Sequence, residues 1–135
     1  MAGRFEPPSM PVSEPFWQAT REQRLIMQWC RSCERVVFYP REICPACGGS
    51  DLEWRDSPGA GTVYAFSVHH RTGSAEMAER TPYVVALVDL DEGARMMSNI
   101  VGCEPDDVAV GMGVRVTWEQ LSDGRNLPLF EPSNH

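Results

Sequence analysis

The chain contains no lysine: its 12 basic residues are all arginine, against 19 acidic residues and a formal net charge of −7. Nucleic-acid-binding domains usually present a net basic face that replaces the counterions of the phosphate backbone. The charge balance therefore argues against a nucleic-acid partner.

The sequence also lacks any apolar run long enough to cross a membrane, and we expect no signal peptide at its start. Its 135 residues are 42% hydrophobic, which is enough for the core of one ordinary domain or of a small ribbon and a barrel. Four cysteines in metal-ligand spacing and a lone Cys103 indicate a reducing compartment, so we expect a cytoplasmic protein without a membrane partner.

Catalytic motifs are missing as well. No Ser/His/Asp triad and no glycine-rich phosphate loop can be assembled. Cys103 follows an apolar run and is interpreted as a small buried side chain rather than a nucleophile. His69 and His70 are adjacent, so on a strand they face opposite sides and cannot form one acid–base pair. We therefore expect no catalytic residue in this chain.

What the chain does contain is a C-x2-C-x10-C-x2-C pattern formed by Cys30, Cys33, Cys44 and Cys47. Two such knuckles can point four thiolates at one ion, in the tetrahedral geometry that Zn²⁺ favours. In the second knuckle, Pro45 stiffens the turn and Gly48 lets backbone amides approach a sulfur. The first knuckle has Glu34 where the second has glycine.

The knuckles predict a structural zinc ion. A redox C-x-x-C pair or disulfides fit two matched pairs poorly, whereas iron in a rubredoxin-like cage uses the same four ligands. Four thiolates close the coordination shell, while a catalytic zinc keeps one position open. The metal is therefore expected to hold together a segment too small to fold on its core alone.

The first half of the chain predicts an arm, a helix and a ribbon. Residues 1–12 hold three prolines without apolar periodicity and indicate a disordered arm, a partner-wrapping segment or a linker from a longer fusion. Ser13 is typical of a helix cap, and the helix should run to about Arg24 with Phe16, Trp17 and Thr20 on one face. Strands are expected at 25–29, 36–40 and 51–54, which completes a helix-plus-ribbon unit over 13–57.

The second half predicts an all-β domain over 58–135, after a breaker cluster at 58–61. Strands are expected at 62–70, 83–90, 94–101, 114–121 and 127–130, with a polar loop at 71–81 and a short helical turn at 104–110. Strands at this spacing suit a small Greek-key barrel of the OB type. The fold class is therefore mainly β: an N-terminal helix, a rubredoxin-like zinc ribbon and an OB-like barrel.

Further segments stand before and after the knuckles in a recognisable order: Pro15-Phe16-Trp17 before them, and after them Gly61-Thr62-Val63-Tyr64-Ala65-Phe66-Ser67-Val68, Pro82-Tyr83-Val84-Val85-Ala86-Leu87-Val88, Asn99-Ile100-Val101-Gly102-Cys103, Gly111-Met112-Gly113-Val114-Arg115-Val116 and Leu127-Pro128-Leu129-Phe130. With this order, the chain resembles the acyl-CoA-associated zinc-ribbon/OB-fold proteins, a domain family of unknown function. Proteins of this family assemble with thiolase-like enzymes or MaoC-like hydratases.

The resemblance implies an accessory subunit that completes, stabilises or feeds an acyl-CoA enzyme, including the thiolase-like aldolases of steroid side-chain degradation. It implies a hetero-oligomer in which a thiolase-like aldolase or a MaoC-like hydratase carries the catalytic residues. The absence of glycine after Cys33 is the one departure in the knuckles, and the rest of the pattern is kept.

Candidate contacts follow from residue type and position. Phe16 and Trp17 can form part of the wall of an apolar slot between helix, ribbon and barrel. Such a slot would accept a partner or the acyl end of acyl-CoA. Arg71 and Arg80 flank the polar loop and can meet a CoA phosphate or an acidic rim, although a solvated surface role is favoured. The segment from Leu127 to Phe130 is a candidate interface, because it is an apolar run close to the terminus.

Two other functions remain open from the residues alone. The first is single-stranded nucleic-acid binding, since OB folds and zinc ribbons commonly bind nucleic acid and Tyr64 and Phe66 are expected on one face of a strand. The second is an enzyme that uses Cys103. The acidic composition disfavours the first, and the missing base and oxyanion partners disfavour the second.

Overall fold

In the computed structural model, the chain folds as a short helix followed by two sheets. The structure describes residues 7, 8, 10–70 and 82–133. The loop expected at 71–81, including Arg71 and Arg80, lies outside these residues. No helix within the described ranges is long and apolar enough to cross a membrane.

Helix α1 spans Glu14–Thr20, so the expected helix of residues 13–24 is too long at its C-terminal end. Gln23 takes a left-handed backbone conformation, with φ of 56°, and this ends the helical path. Ser13 does not cap α1 with its side chain. Its hydroxyl instead bonds the backbone of Met10, at 3.1 Å, and closes a 3-10 turn over Pro11–Ser13.

The ribbon sheet consists of β1 (Ile26–Cys30), β2 (Arg35–Val37) and β3 (Leu52–Asp56), in the antiparallel order β2-β1-β3. All three strands were predicted, with boundaries one to three residues away from those observed. The largest difference is at β2, which ends at Val37 rather than at Pro40. There Phe38 leaves the sheet and packs against Phe16, with ring centroids 6.0 Å apart.

The barrel consists of β4 (Ala60–His69), β5 (Tyr83–Leu90), β6 (Arg95–Ile100), β7 (Gly113–Gln120) and β8 (Asn126–Pro132). These strands close in the order β4-β5-β6-β8-β7, which confirms the predicted OB-like barrel. The helical turn expected at 104–110 is a 3-10 turn over Pro105–Asp107.

The barrel has a thinly paired seam between β6 and β8. Among the described residues, these parallel strands pair only at Ile100 and Phe130. Pro128 has no backbone N–H, and its carbonyl oxygen accepts a hydrogen bond from the Ser98 hydroxyl at 2.8 Å. The seam therefore opens towards the N-terminal ends of both strands, and the helix and ribbon lie there.

The breaker cluster at 58–61 is a close junction between ribbon and barrel. Gly59 has φ of +74°, and a Cβ atom on it would lie 2.4 Å from a methyl of Val116. A Cβ atom on Gly61 would lie 2.4 Å from the carbonyl oxygen of Asp89. Glycine is required at both positions because the backbone at Gly59 and at Gly61 passes too close to its neighbours for any side chain.

Ribbon and barrel share one hydrophobic core. Phe16 from α1 and Leu25 and Met27 from the ribbon pack into the same buried cluster as the inward residues of the barrel strands. Thr20 and Asn126 add a buried polar link: the Asn126 side-chain amide donates to the Thr20 carbonyl at 2.8 Å. This bond fixes α1 against β8 and so positions the helix over the seam.

Candidate metal centre and apolar groove

The four predicted cysteines converge on one point. Their sulfur atoms all lie within 4.8 Å of one another, and the sulfur atoms of Cys30 and Cys47 and of Cys33 and Cys44 are each 3.6 Å apart. Both close pairs join one knuckle to the other. A tetrahedral zinc with Zn–S bonds of about 2.3 Å requires sulfur atoms about 3.8 Å apart. The residues present therefore fit a closed S4 site for a structural metal.

Local amides favour thiolate at one corner of this cluster. The backbone N–H of Cys47 bonds the Cys44 sulfur and, against the opposing effect of burial, lowers the pKa of Cys44 to about 7. Burial and hydrogen bonds from the other thiols raise the pKa of Cys33 to about 12. Since metals bind the thiolate form, the amides at Cys44 favour the protonation state that a metal ligand needs.

The two knuckles differ in how they reach this geometry. Gly48 has φ of 75°, as its residue type predicts, but the amide that reaches the Cys47 sulfur belongs to Gly49, at 3.4 Å. In the first knuckle, Glu34 adopts the left-handed conformation that glycine would have taken, with φ of 56°. For a residue other than glycine, that conformation costs about 1 kcal/mol, which the closed site must offset.

A buried glutamine that the sequence reasoning missed holds the loop between the knuckles. Gln28, in the middle of β1, donates from its side-chain amide to the Arg41 carbonyl at 2.8 Å and accepts the Arg41 backbone N–H at 2.7 Å. It is 6% exposed. The signal in the sequence was a single polar residue at a position between apolar neighbours of a strand.

A groove of about 660 Å³ lies between the arm, α1, the ribbon and the open part of the seam. A crevice was expected at this junction, with Phe16 and Trp17 in its wall, and both residues line the groove. The remaining wall comes from Phe38 and Tyr39 of the ribbon and from residues of β5, β6 and β8. The volume is typical of sites for small molecules or for side chains of a partner.

A buried arginine holds the arm along this groove. Arg125 is 7% exposed, and its guanidinium bonds the Asp123 carboxylate at 2.7 Å and the Pro7 carbonyl at 2.8 Å. The same guanidinium lies over the Trp17 ring, 4.8 Å from its centroid. The described part of the arm is therefore a wall of the groove, and Arg125 is a positioning residue that sequence reasoning did not identify.

The predicted contact residues are placed differently from one another. Leu127 is half-buried and lines the groove. Phe130 is fully buried in the barrel core, so its side chain presents no surface to a ligand or partner in this structure. Arg71 and Arg80 lie outside the described residues and are not assigned to the groove.

Tyr64 and Phe66 do not share a face, which corrects an expectation that supported nucleic-acid binding. A register shift in β4 between Val63 and Ala65 reverses the alternation. Phe66 consequently packs against the core, while Tyr64 is half exposed and covered by the Arg95 guanidinium at 3.5 Å from its ring centroid. The two rings therefore offer no pair of stacking platforms on this strand.

Cys103 and His69 have local surroundings that explain their placement. Cys103 packs against the core, and burial together with Asp107 and Glu104 raises the pKa of its thiol. That direction disfavours the thiolate a nucleophile needs. His69 stacks on Tyr83, with ring centroids 5.2 Å apart, and its Nε2 lies 2.9 Å from the Ser67 hydroxyl.

The fold and the metal site together define a zinc-ribbon and OB-fold protein. Residues 17–53 match the family model described as the rubredoxin-like zinc ribbon domain of ChsH2. Residues 54–119 match the C-terminal OB-fold domain of ChsH2. A DUF35 domain-containing scaffold protein of Methanocaldococcus jannaschii is 37% identical over 79% of this chain and 77% of its own length. The chain therefore belongs to the ChsH2/DUF35 family of zinc-ribbon and OB-fold proteins.

Other relatives are subunits of enzymes. A probable enoyl-CoA hydratase alpha subunit of Thermomonospora curvata is 36% identical over 93% of this chain, which spans 39% of that protein. A 3-oxo-4,17-pregnadiene-20-carboxyl-CoA hydratase alpha subunit of Mycobacterium tuberculosis is 46% identical over 56% of this chain and 24% of its own length. The chain thus spans well under half of these hydratase subunits.

Solved structures agree with the fold. A chain of the Ltp2-ChsH2(DUF35) aldolase superposes with a TM-score of 0.84 at 35% identity, covering 94% of this chain and 98% of that one. A DUF35-family protein of Sulfolobus solfataricus superposes with a TM-score of 0.66 at 16% identity, over 93% of this chain and 87% of that one. The second likeness concerns the fold alone.

Proposed function

We propose that this chain is a non-catalytic accessory subunit of an enzyme complex that processes acyl-CoA substrates. The observation that carries the proposal is the pairing of a closed four-cysteine site with an apolar groove whose described lining has no charged side chain. The described lining of the groove has hydroxyl groups but no histidine or carboxylate that could act as a base beside them, and the four thiolates of the closed site would be occupied as metal ligands. Both suit a module that folds around a metal and binds a neighbour.

The metal in this proposal is zinc. Sulfur separations near those of a tetrahedral S4 site and the match to a rubredoxin-like zinc ribbon domain support it. The bound ion would hold the two knuckles together and supply no reactive water, because all four positions are taken by Cys30, Cys33, Cys44 and Cys47. Its contribution is to the folding of the ribbon and hence to the wall of the groove.

The partner in this proposal is a thiolase-like aldolase or a MaoC-like hydratase, joined to this chain in a hetero-oligomer. The names of the relatives support this: two are hydratase alpha subunits, one is a scaffold protein, and a solved neighbour belongs to an aldolase. The pregnadiene-carboxyl-CoA substrate in the name of one relative favours a role in steroid side-chain degradation.

Assembly is the direct test. An affinity-tagged chain recovered from its native host is expected to bring with it a thiolase-like or hydratase subunit, identified by mass spectrometry. When the two are co-expressed, size-exclusion chromatography should give one peak containing both at micromolar concentration. Subunits that elute separately under those conditions would contradict the proposal.

Replacement of Cys103 tests the absence of catalysis in this chain. Cys103→Ala in the assembled complex is expected to leave kcat within about twofold of the wild-type value, because the raised pKa of this thiol leaves little thiolate at neutral pH. Steady-state rates at matched complex concentration give the answer. A loss of a hundredfold or more with intact assembly, on the order expected of a nucleophile, would instead assign the chemistry to this chain.

A further inference from the structure

Exposed apolar side chains converge on the groove. Within the described residues, six large hydrophobic side chains are strongly exposed, and three of them line this groove: Met10 at 62%, Tyr39 at 52% and Met97 at 59%. They come from the arm, the ribbon and the barrel in turn. Three separate elements thus present an apolar rim to one opening, which is typical of an interaction site rather than of scattered surface residues.

The lining restricts what can enter. The polar side chains in the described wall are neutral, and no described lining residue is charged, in a protein that is 23% charged overall. An ionised carboxylate or phosphate placed here would lose water without gaining a countercharge. The occupant of the groove is therefore uncharged and apolar where it meets the wall.

The apolar surface also extends past the groove onto the outside of the barrel. Met97 on β6 lies directly opposite Leu87 on β5, so the two side chains share the outward face. Tyr83 and Val85, on the same outward face of β5, line the groove itself. A small ligand held in the groove would leave the outer part of this face uncovered, whereas a polypeptide partner would cover both.

We infer that the partner enzyme docks on this face by inserting an uncharged, apolar segment of its own chain into the groove, with Met97 near the centre of the contact. The inference rests on the proposed function, since it assigns the surface through which that assembly forms. Methionine at the rim suits such a contact because its flexible side chain adapts to the shape of an apolar partner, and both methionine and tyrosine are enriched at protein interfaces.

The test uses the reconstituted complex with the subunit recovered from the native host. Met97→Arg puts a charge into the uncharged contact. It is expected to raise the dissociation constant of the complex at least about 30-fold, as for a central interface residue. Met97→Leu keeps the apolar contact and should stay within about threefold of wild type. Isothermal titration calorimetry measures both, and circular dichroism should show an unchanged fold, because the side chain is largely exposed.

Val110→Arg is the matched control. Val110 is 67% exposed and lies outside the groove. The substitution adds the same charge there, so the affinity of the Val110→Arg chain for the partner should stay within about threefold of wild type.

Wild-type affinity for Met97→Arg would overturn the inference while leaving the proposed function intact. A raised KM for acyl-CoA at unchanged affinity would place the acyl group there instead, and a wild-type homodimer broken by Met97→Arg would place a second copy there. Failure of the wild-type chain to bind any enzyme subunit would contradict the proposed function itself.

Discussion

Replacing Cys44 with alanine is expected to unfold the ribbon and to abolish metal binding. The purified wild-type chain should carry about one zinc ion, since four thiols converge on one site. Metal binding and folding are one equilibrium in small sites of this kind, so losing one ligand should cost several kcal/mol of stability. For a chain of this length we expect the melting temperature to fall by roughly 10 °C or more.

Elemental analysis and thermal unfolding measure the two effects, and Cys103→Ala is the control. Cys103 is outside the cluster and half-buried, so its loss should leave the zinc content unchanged and cost no more than about 1 kcal/mol. A wild-type protein that is metal-free and yet keeps an intact ribbon would contradict the metal assignment.

Chelation should lower the activity of the partner enzyme only as far as it dissociates the complex. A closed S4 site has no position for a substrate or an activated water. The residual rate should therefore track the fraction of complex that remains, measured by size-exclusion chromatography on the same samples.

The local features of the fold could be predicted because their causes are local. The spacing of Cys30, Cys33, Cys44 and Cys47 predicted a site whose sulfur atoms do converge, and apolar segments separated by turn residues predicted every barrel strand to within about two residues. Knuckle spacing and strand periodicity are set by the backbone geometry of a few neighbouring residues, so they are visible in a single sequence.

Local sequence patterns did not predict the walls of the groove, because these walls depend on contacts between residues far apart in the chain. Its wall depends on Arg125, which binds the Pro7 carbonyl 118 residues away, and on the seam that opens where Pro128 cannot donate a backbone hydrogen bond. Nothing in the local pattern around Arg125 distinguishes it from a surface arginine. The same applies to the register shift in β4 that separates Tyr64 from Phe66, because bulges depend on the partner strand.

Phe130→Ala is expected to destabilise the barrel by about 3–5 kcal/mol, the usual cost of removing a fully buried aromatic ring. Phe130 is 0% exposed, and its backbone supplies the pairing of β8 with β6: its carbonyl accepts the N–H of Val101 at 2.8 Å. Urea unfolding measures the loss. Leu127→Ala, on the same strand but half-buried in the groove, should cost about 1 kcal/mol because less apolar area leaves the core.

The two variants should also separate folding from docking. After correction for the folded fraction, Leu127→Ala should weaken the partner complex and Phe130→Ala should not, because only Leu127 lines the groove. Phe130 closes the barrel at its most thinly paired seam. Any effect of Phe130→Ala on assembly should therefore arise because a larger fraction of the chain is unfolded and cannot bind. A Phe130→Ala chain with wild-type unfolding free energy and a weakened complex would show that this ring meets the partner directly, and that the seam opens when the complex forms.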